Sequence, residues 1–164
     1  MGDVEVRPVR PEGYAAAGEV TARAYDVDGH LAGDVGYDAK LRDIAGRAEQ
    51  AEVLVAVDAA GEVLGTVTVV HPGSAYAEIS RPGELEFRML AVAPPARGRG
   101  IGELLTTAVL DRARALGIRK VVLSSLEGMR SAHRLYERLG FARLAERDWR
   151  PFPHISLIAY QIDV

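Results

Sequence analysis

The chain has 164 residues, 48% of them hydrophobic and 26% charged, a length and balance that fit one domain, residues 1–164, with a real core. Its formal net charge of -3 argues against a basic surface that binds nucleic acid nonspecifically. It contains no cysteine, which excludes disulfides, thiolate metal sites and a cysteine acyl-enzyme.

Residues 1–7 do not form a signal peptide, and no apolar run reaches about 18 residues, so a soluble cytoplasmic protein without a membrane partner is expected. Residues 4–9 alternate and read as a strand near a sheet edge, given Pro8. The period then turns helical over residues 11–25, with Ala16, Val20, Ala24 and Tyr25 on one face. Residues 26–36 hold three glycines and three aspartates and read as a loop. A second helix is expected over 38–51, with Leu41, Ile44, Ala45 and Ala48 on its face. Two β-branched runs, 52–58 and 62–70, are separated by Ala59-Ala60-Gly61 and read as a hairpin. Residues 71–83, rich in proline, glycine and serine, read as loop.

From Glu86 the chain becomes a strand in which Phe87, Met89 and Ala91 alternate with Glu86, Arg88 and Leu90. Pro94 and Pro95 stop it. Arg97-Gly98-Arg99-Gly100-Ile101-Gly102 follows and opens a helix whose apolar face is Ile101, Leu104, Leu105, Ala108 and Val109. Gly117 ends that helix. Residues 119–125 read as a buried strand, 129–139 as a helix with Ala132, Leu135, Tyr136 and Leu139 on its face, and 141–149 and 155–163 as closing strands. The order argues an α/β fold, a mixed sheet with helices on both faces. A right-handed crossover makes the strand from Glu86 parallel and adjacent to 119–125. The four histidines show no metal-ligand spacing, so no metal is expected.

A strand that runs through a glycine-rich turn into a helix N-terminus offers unpartnered N–H groups and partial positive charge to an anion. Arg97 and Arg99 add positive charge at the rim, and the glycines let a phosphate reach the backbone. The segment therefore reads as a diphosphate cradle. It is not a Walker loop, because Glu103 and Leu104 follow Gly102 where Lys and Ser or Thr are required. It is not a dinucleotide fingerprint either, because the spacing is G-x-G-x-G. The plainer alternative is a tight strand-to-helix connection.

Arg97-x-x-Gly100-x-Gly102, preceded by Leu90-Ala91-Val92-x-Pro94, resembles motif A of the GNAT (GCN5-related) N-acetyltransferases. Ala132-x-x-Leu135-Tyr136-x-x-x-Gly140-Phe141 resembles motif B of the same family at all five defining positions. The resemblance implies a single-domain GNAT fold: a mixed, mostly antiparallel sheet with a splayed parallel strand pair at the cofactor cleft. It implies acetyl-CoA as co-substrate and transfer of acetyl to a primary amine by direct attack in a ternary complex. It further implies that the main chain of Leu90, Ala91 and Val92 pairs with the pantetheine arm. Leu90 N–H would then polarise the thioester carbonyl, and the amides of Gly98, Arg99, Gly100, Ile101, Gly102 and Glu103 would hold the diphosphate beside Arg97. Tyr136 takes the role of acid for the leaving thiolate, or its ring simply packs. Glu86 is the candidate base, with Glu84 on the same face, although both would also suit a solvated strand end. Met129 stands where the family often has Asn, with Ser131 as its replacement.

The acceptor, a small-molecule or peptide amine, is expected against the 26–36 loop. There Asp26, Asp28 and Asp34 beside Tyr25, His30 and Tyr37 would suit a cation, or would form only a solvated loop. Trp149, Phe152 and His154 either line the acceptor pocket or anchor the last hairpin. His133 is expected to be an exposed helix residue. A CoA-binding module without catalysis, and N-acetylation of a protein or peptide, are the alternative functions. A homodimer is compatible with the sequence.

Overall fold

A computed structural model describes residues 3–31 and 36–164. One eight-stranded sheet runs in the order β1 (Glu5–Pro8), β2 (Glu52–Val57), β3 (Val63–Val70), β4 (Glu84–Val92), β5 (Lys120–Leu126), β8 (Ile155–Asp163), β6 (Ala142–Arg143), with β7 (Trp149–Phe152) also pairing with β8. All neighbouring pairs are antiparallel except β4 and β5, which run parallel as the crossover argument requires. Helices α4 (Ile101–Ala115) and α5 (Arg130–Arg138) cover one face, where Ile101, Leu105, Val109 and Tyr136 pack on Leu85, Phe87, Val121 and Leu123. On the other face lie α1 (Tyr14–Val27), α2 (Tyr37–Arg42) and α3 (Ile44–Gln50).

Four local departures from the expected elements have physical causes. The single helix expected over 38–51 is two helices, because the Asp43 carboxylate accepts from Gly46 N at 3.0 Å and caps α3. Buried Arg47 then donates to the α2 carbonyls of Lys40 and Leu41 and to Thr68 Oγ1 on β3. On α1 the buried face is Ala17, Gly18, Thr21, Ala22, Ala24 and Tyr25 rather than one through Ala16, which is exposed. Thr21 and Thr66 share a hydrogen bond of 2.7 Å that fixes α1 to β3. Within α4, Leu104 is 41% exposed, and the stripe that meets the sheet is Ile101, Leu105, Val109 and Ala113. Gly65 makes that contact close: a Cβ there would lie 2.9 Å from Ile101 Cγ2 and Leu105 Cδ1.

The fourth departure shapes the cleft. β4 does not alternate smoothly, because Met89 has φ 57° and the register with β3 shifts there. Thr68 faces Arg88 and Thr66 faces Ala91, so Met89 and Leu90 together oppose Val67 in a β-bulge. The bulge separates Phe87, which belongs to the α4 side, from Met89 and Ala91, which pack under α1 and α2. It also bends β4 away from β5: their pairing ends at Glu86–Val122, after only three registered positions. Beyond that point the two strands diverge and leave main chain exposed between them.

Candidate active site

Two adjoining cavities fill the split. The first, of about 950 Å³, is lined by Phe87, Arg88, Met89 and Leu90 of β4, by residues 123–126 of β5, and by Tyr136 of α5. The second, of about 650 Å³, runs from Leu90, Ala91 and Val92 to the N-terminus of α4 and the outer face of α5. Leu90, Met129 and Ala132 border both, so the cavities form one passage.

The second cavity has the chemistry of an anion site. None of the amides of residues 98–103 donates to main chain among the described residues, because each precedes the first complete helical turn. Gly98 and Gly100 hold φ of 81° and 78°, with nothing within 4 Å of where a Cβ would stand. The turn therefore needs glycine for its backbone, and its surface is open to a ligand. Arg97, Gly98, Gly100, Ile101, Gly102 and Glu103 all line this cavity, whereas Arg99 does not. Arg97 is paired with Asp28 at 2.8 Å, so this loop acid meets the cradle's arginine and not an acceptor cation. Ser131 lines the same cavity, its hydroxyl accepting from Arg134 at 3.1 Å. The free amides and the absent side chains fit a diphosphate, the anionic part of acetyl-CoA, and the diverging strands fit its extended arm.

Sequence reasoning missed the rest of the positive charge. Arg130, Arg134 and Arg138 are exposed and line the second cavity. The signal was available: they recur every fourth residue on α5 and form one stripe facing the α4 N-terminus.

Tyr136 lies in the first cavity at 4% exposure, its ring packed on Phe87, Phe141 and Tyr160 at 5.6–5.9 Å. The ring therefore packs in the core while the residue also borders the cavity. The hydroxyl has no hydrogen-bond partner among the described residues. Burial, with Tyr160 alongside, pushes its pKa far above the ordinary tyrosine value, so it carries its proton at neutral pH.

Glu86 and Glu84, expected as base and helper, are placed differently from a solvated strand end. Glu86 is 0% exposed and borders neither cavity. Its Oε1 accepts the amides of Glu78, Ile79 and Ser80 at 3.0–3.2 Å, while Oε2 has no hydrogen-bond partner among the described residues. Glu84 takes a two-armed grip from Arg147, at 2.5 and 2.9 Å, and accepts from Arg81 N. Both carboxylates face the loop of residues 71–83 and pin it to the sheet. Three carboxylates the sequence did not mark, Asp43, Glu78 and Glu127, line the first cavity, and Glu78 is held by Arg88 at 3.1 Å and by the Ser124 hydroxyl at 3.3 Å. Burial raises the Glu78 pKa, and Arg88 counters part of that rise.

Tyr25, His30 and Tyr37 line the first cavity, with Tyr25 edge-on to both partners. Asp26 borders neither cavity, and Asp34 lies outside the described residues. Phe152 and His154 stack with centroids 6.1 Å apart and close one side of the cavity, without Trp149. His133 is not the exposed residue expected: it is buried at 9% and meets Ser125 Oγ at 3.1 Å.

The Acetyltransferase (GNAT) family profile matches residues 21–141. A mycothiol acetyltransferase of Pseudarthrobacter chlorophenolicus is 40% identical over 107 residues, 62% of this chain and 32% of its own length. The chain thus spans about a third of the length of that relative. A GNAT-family acetyltransferase from Staphylococcus aureus shares the fold with a TM-score of 0.77 at 15% identity, over 98% of both chains. An acetyltransferase from Salmonella typhimurium, solved with its cofactor acetyl-CoA, does so at 0.70 and 22% identity over 98% of this chain and 94% of its own. With one motif running from β4 into α4, the other on α5, and the profile spanning residues 21–141, the chain belongs to the GNAT acetyltransferase family.

Proposed function

We propose that the chain moves an acetyl group from acetyl-CoA to the primary amine of a small molecule, by direct attack while both are bound. The observation that carries this reading is the continuity of the two cavities, with unpartnered amides at one end and the protonated Tyr136 at the other. Acetyl-CoA supplies an activated acyl group on a thiol leaving group. The chain's own residues do the rest. The amides of residues 98–103, with Arg97, bind the diphosphate, and Leu90 to Val92 align the arm along the free edge of β4. Glu78 and the faces of Tyr25 and Tyr37 receive the acceptor's ammonium. Tyr136 gives its proton to the departing sulfur, whose thiol form titrates at about 8.5 and so needs only modest help. We assign Glu84 and Glu86 to holding the 71–83 loop, not to proton transfer. The named mycothiol acetyltransferase relative favours a small amine over a protein tail, and dependence on acetyl-CoA accords with a cytoplasmic setting.

Release of free CoA thiol from acetyl-CoA across a panel of amino sugars, arylalkylamines and amino acids tests the reading. At least one amine should be acetylated, and Tyr136→Phe should lower kcat by about 100-fold or more with acetyl-CoA affinity retained. Tight CoA binding without transfer to any amine would instead identify a CoA-binding module.

A further inference from the structure

His133 and Ser125 make a pair that the reaction above does not use. Ser125, at the end of β5, lines the first cavity together with Tyr136, and its hydroxyl faces His133 Nε2 at 3.1 Å. The Met129 sulfur, at 3.6 Å, is the only other partner of that hydroxyl among the described residues. His133 sits behind Ser125, its ring tilted at 37° against Tyr160 with centroids 5.6 Å apart. A hydroxyl on the cavity wall backed by a buried imidazole is an arrangement that passes a proton inward. The nearby carboxylates are engaged or solvated: Glu86 is bound by three amides, Glu78 is paired with Arg88, Asp43 caps α3 through Gly46 N, and Glu127 is exposed.

We infer that Ser125 and His133 form a relay that takes the proton of the attacking amine, Ser125 touching the amine and His133 receiving the charge. The inference rests on the acetyl transfer proposed above. The bound ammonium first loses one proton to solvent; as the neutral amine nitrogen then bonds to the acyl carbon, a second N–H bond breaks and its proton passes to Ser125 Oγ. The Ser125 proton moves at the same time to His133 Nε2, forming an imidazolium. The C–S bond breaks and the thiolate takes the Tyr136 proton. Return of the His133 proton through Ser125 to the tyrosinate restores the site. The imidazole suits this work because burial lowers its pKa, while a main-chain bond to Leu126 and the charge of Glu137 on α5 oppose the drop and Arg143 on β6 adds to it. It is therefore neutral at pH 7 and able to accept.

The test uses the full chain, acetyl-CoA and the best acceptor of the amine panel, with kcat followed against pH. In the wild type kcat should fall on the acid side of the ordinary imidazole value of about 6.5, because the ring's lowered pKa delays its charging. His133→Gln should lower kcat about 10- to 100-fold and abolish that acid limb. Ser125→Ala should lower kcat similarly with acetyl-CoA affinity unchanged, and Ser125→Thr, which keeps the hydroxyl, should recover most of the rate. Glu78→Gln should leave the limb in place. A limb that persists in His133→Gln, or that vanishes in Glu78→Gln, would overturn the relay while leaving acetyl transfer standing. A wild type that acetylates no amine would overturn the transfer reading, and the relay with it.

Discussion

Three amides aimed at one carboxylate oxygen support the assignment of Glu86 to holding the 71–83 loop. Charge-assisted bonds of this kind are stronger than neutral ones, and losing the acceptor strands buried donors at about 1–3 kcal/mol. Glu86→Gln keeps the volume and one carbonyl oxygen but removes the charge. The variant should unfold at a lower temperature in calorimetry, by several degrees, at about 2–4 °C per kcal/mol for a chain of this size. Its kcat should fall no more than a few-fold, with the acid limb unmoved. Loss of that limb with normal stability would return Glu86 to the role of base. The sequence could not separate these outcomes. An acid on a motif strand reads alike whether its partners are solvent, substrate or the amides of a loop whose path is set by tertiary contacts.

At the scale of elements, α5 carries two functions on two faces. Tyr136 and His133 point into the molecule, while Arg130, Arg134 and Arg138 line the second cavity. Glu103 on α4 lies 3.6 Å from Arg138 and holds that end of the stripe beside the amide cradle. Replacing all three arginines by alanine should weaken acetyl-CoA binding about 10-fold or more in calorimetry and flatten its dependence on salt, while kcat at saturation stays near the wild-type value. A larger loss for CoA than for its analogue lacking the 3′-phosphate would place that phosphate on the stripe. An unchanged affinity would make the stripe a solvated face. The cradle itself was legible because glycine spacing, prolines and the helical period agree, and each of those is local. Element order and the parallel pair were legible for the same reason. The bulge at Met89 was not, because nothing in Phe87-Arg88-Met89-Leu90 signals a positive φ at a methionine; the opposition of two β4 residues to Val67 is a property of the pairing. The break at Asp43 was hidden similarly, since the apolar spacing continues across it and only the cap and the Arg47 contacts reveal the stop.

Across the whole molecule, the face of the sheet beyond α1–α3 is covered by the 71–83 loop, with Ile79 packed on Val122, Leu144 and Ala159. That loop delivers Tyr76 and Glu78 to the first cavity, so what fastens the loop also shapes the proposed acceptor site. Glu84 and Arg147 are the fastening that acid can undo. Burial alone would raise the Glu84 pKa, but the Arg147 grip and the Arg81 amide outweigh it and hold the carboxyl below its ordinary value of 4.5. A folded-state pKa below the unfolded one contributes stability that is fully present above about pH 4.5 and is lost as pH falls through the lowered value. Arg147 stays charged throughout, so titration breaks the pair from the glutamate side alone. Thermal unfolding followed from pH 7 down to pH 3 should therefore show the wild-type midpoint declining steeply below about pH 4.5. Glu84→Gln should start several degrees lower at pH 7 and decline less steeply, the two curves converging as the wild-type pair is protonated. Parallel curves at constant separation would mean that the pair contributes nothing that depends on charge, and that the loop is held by Glu86 and by the packing of Ile79.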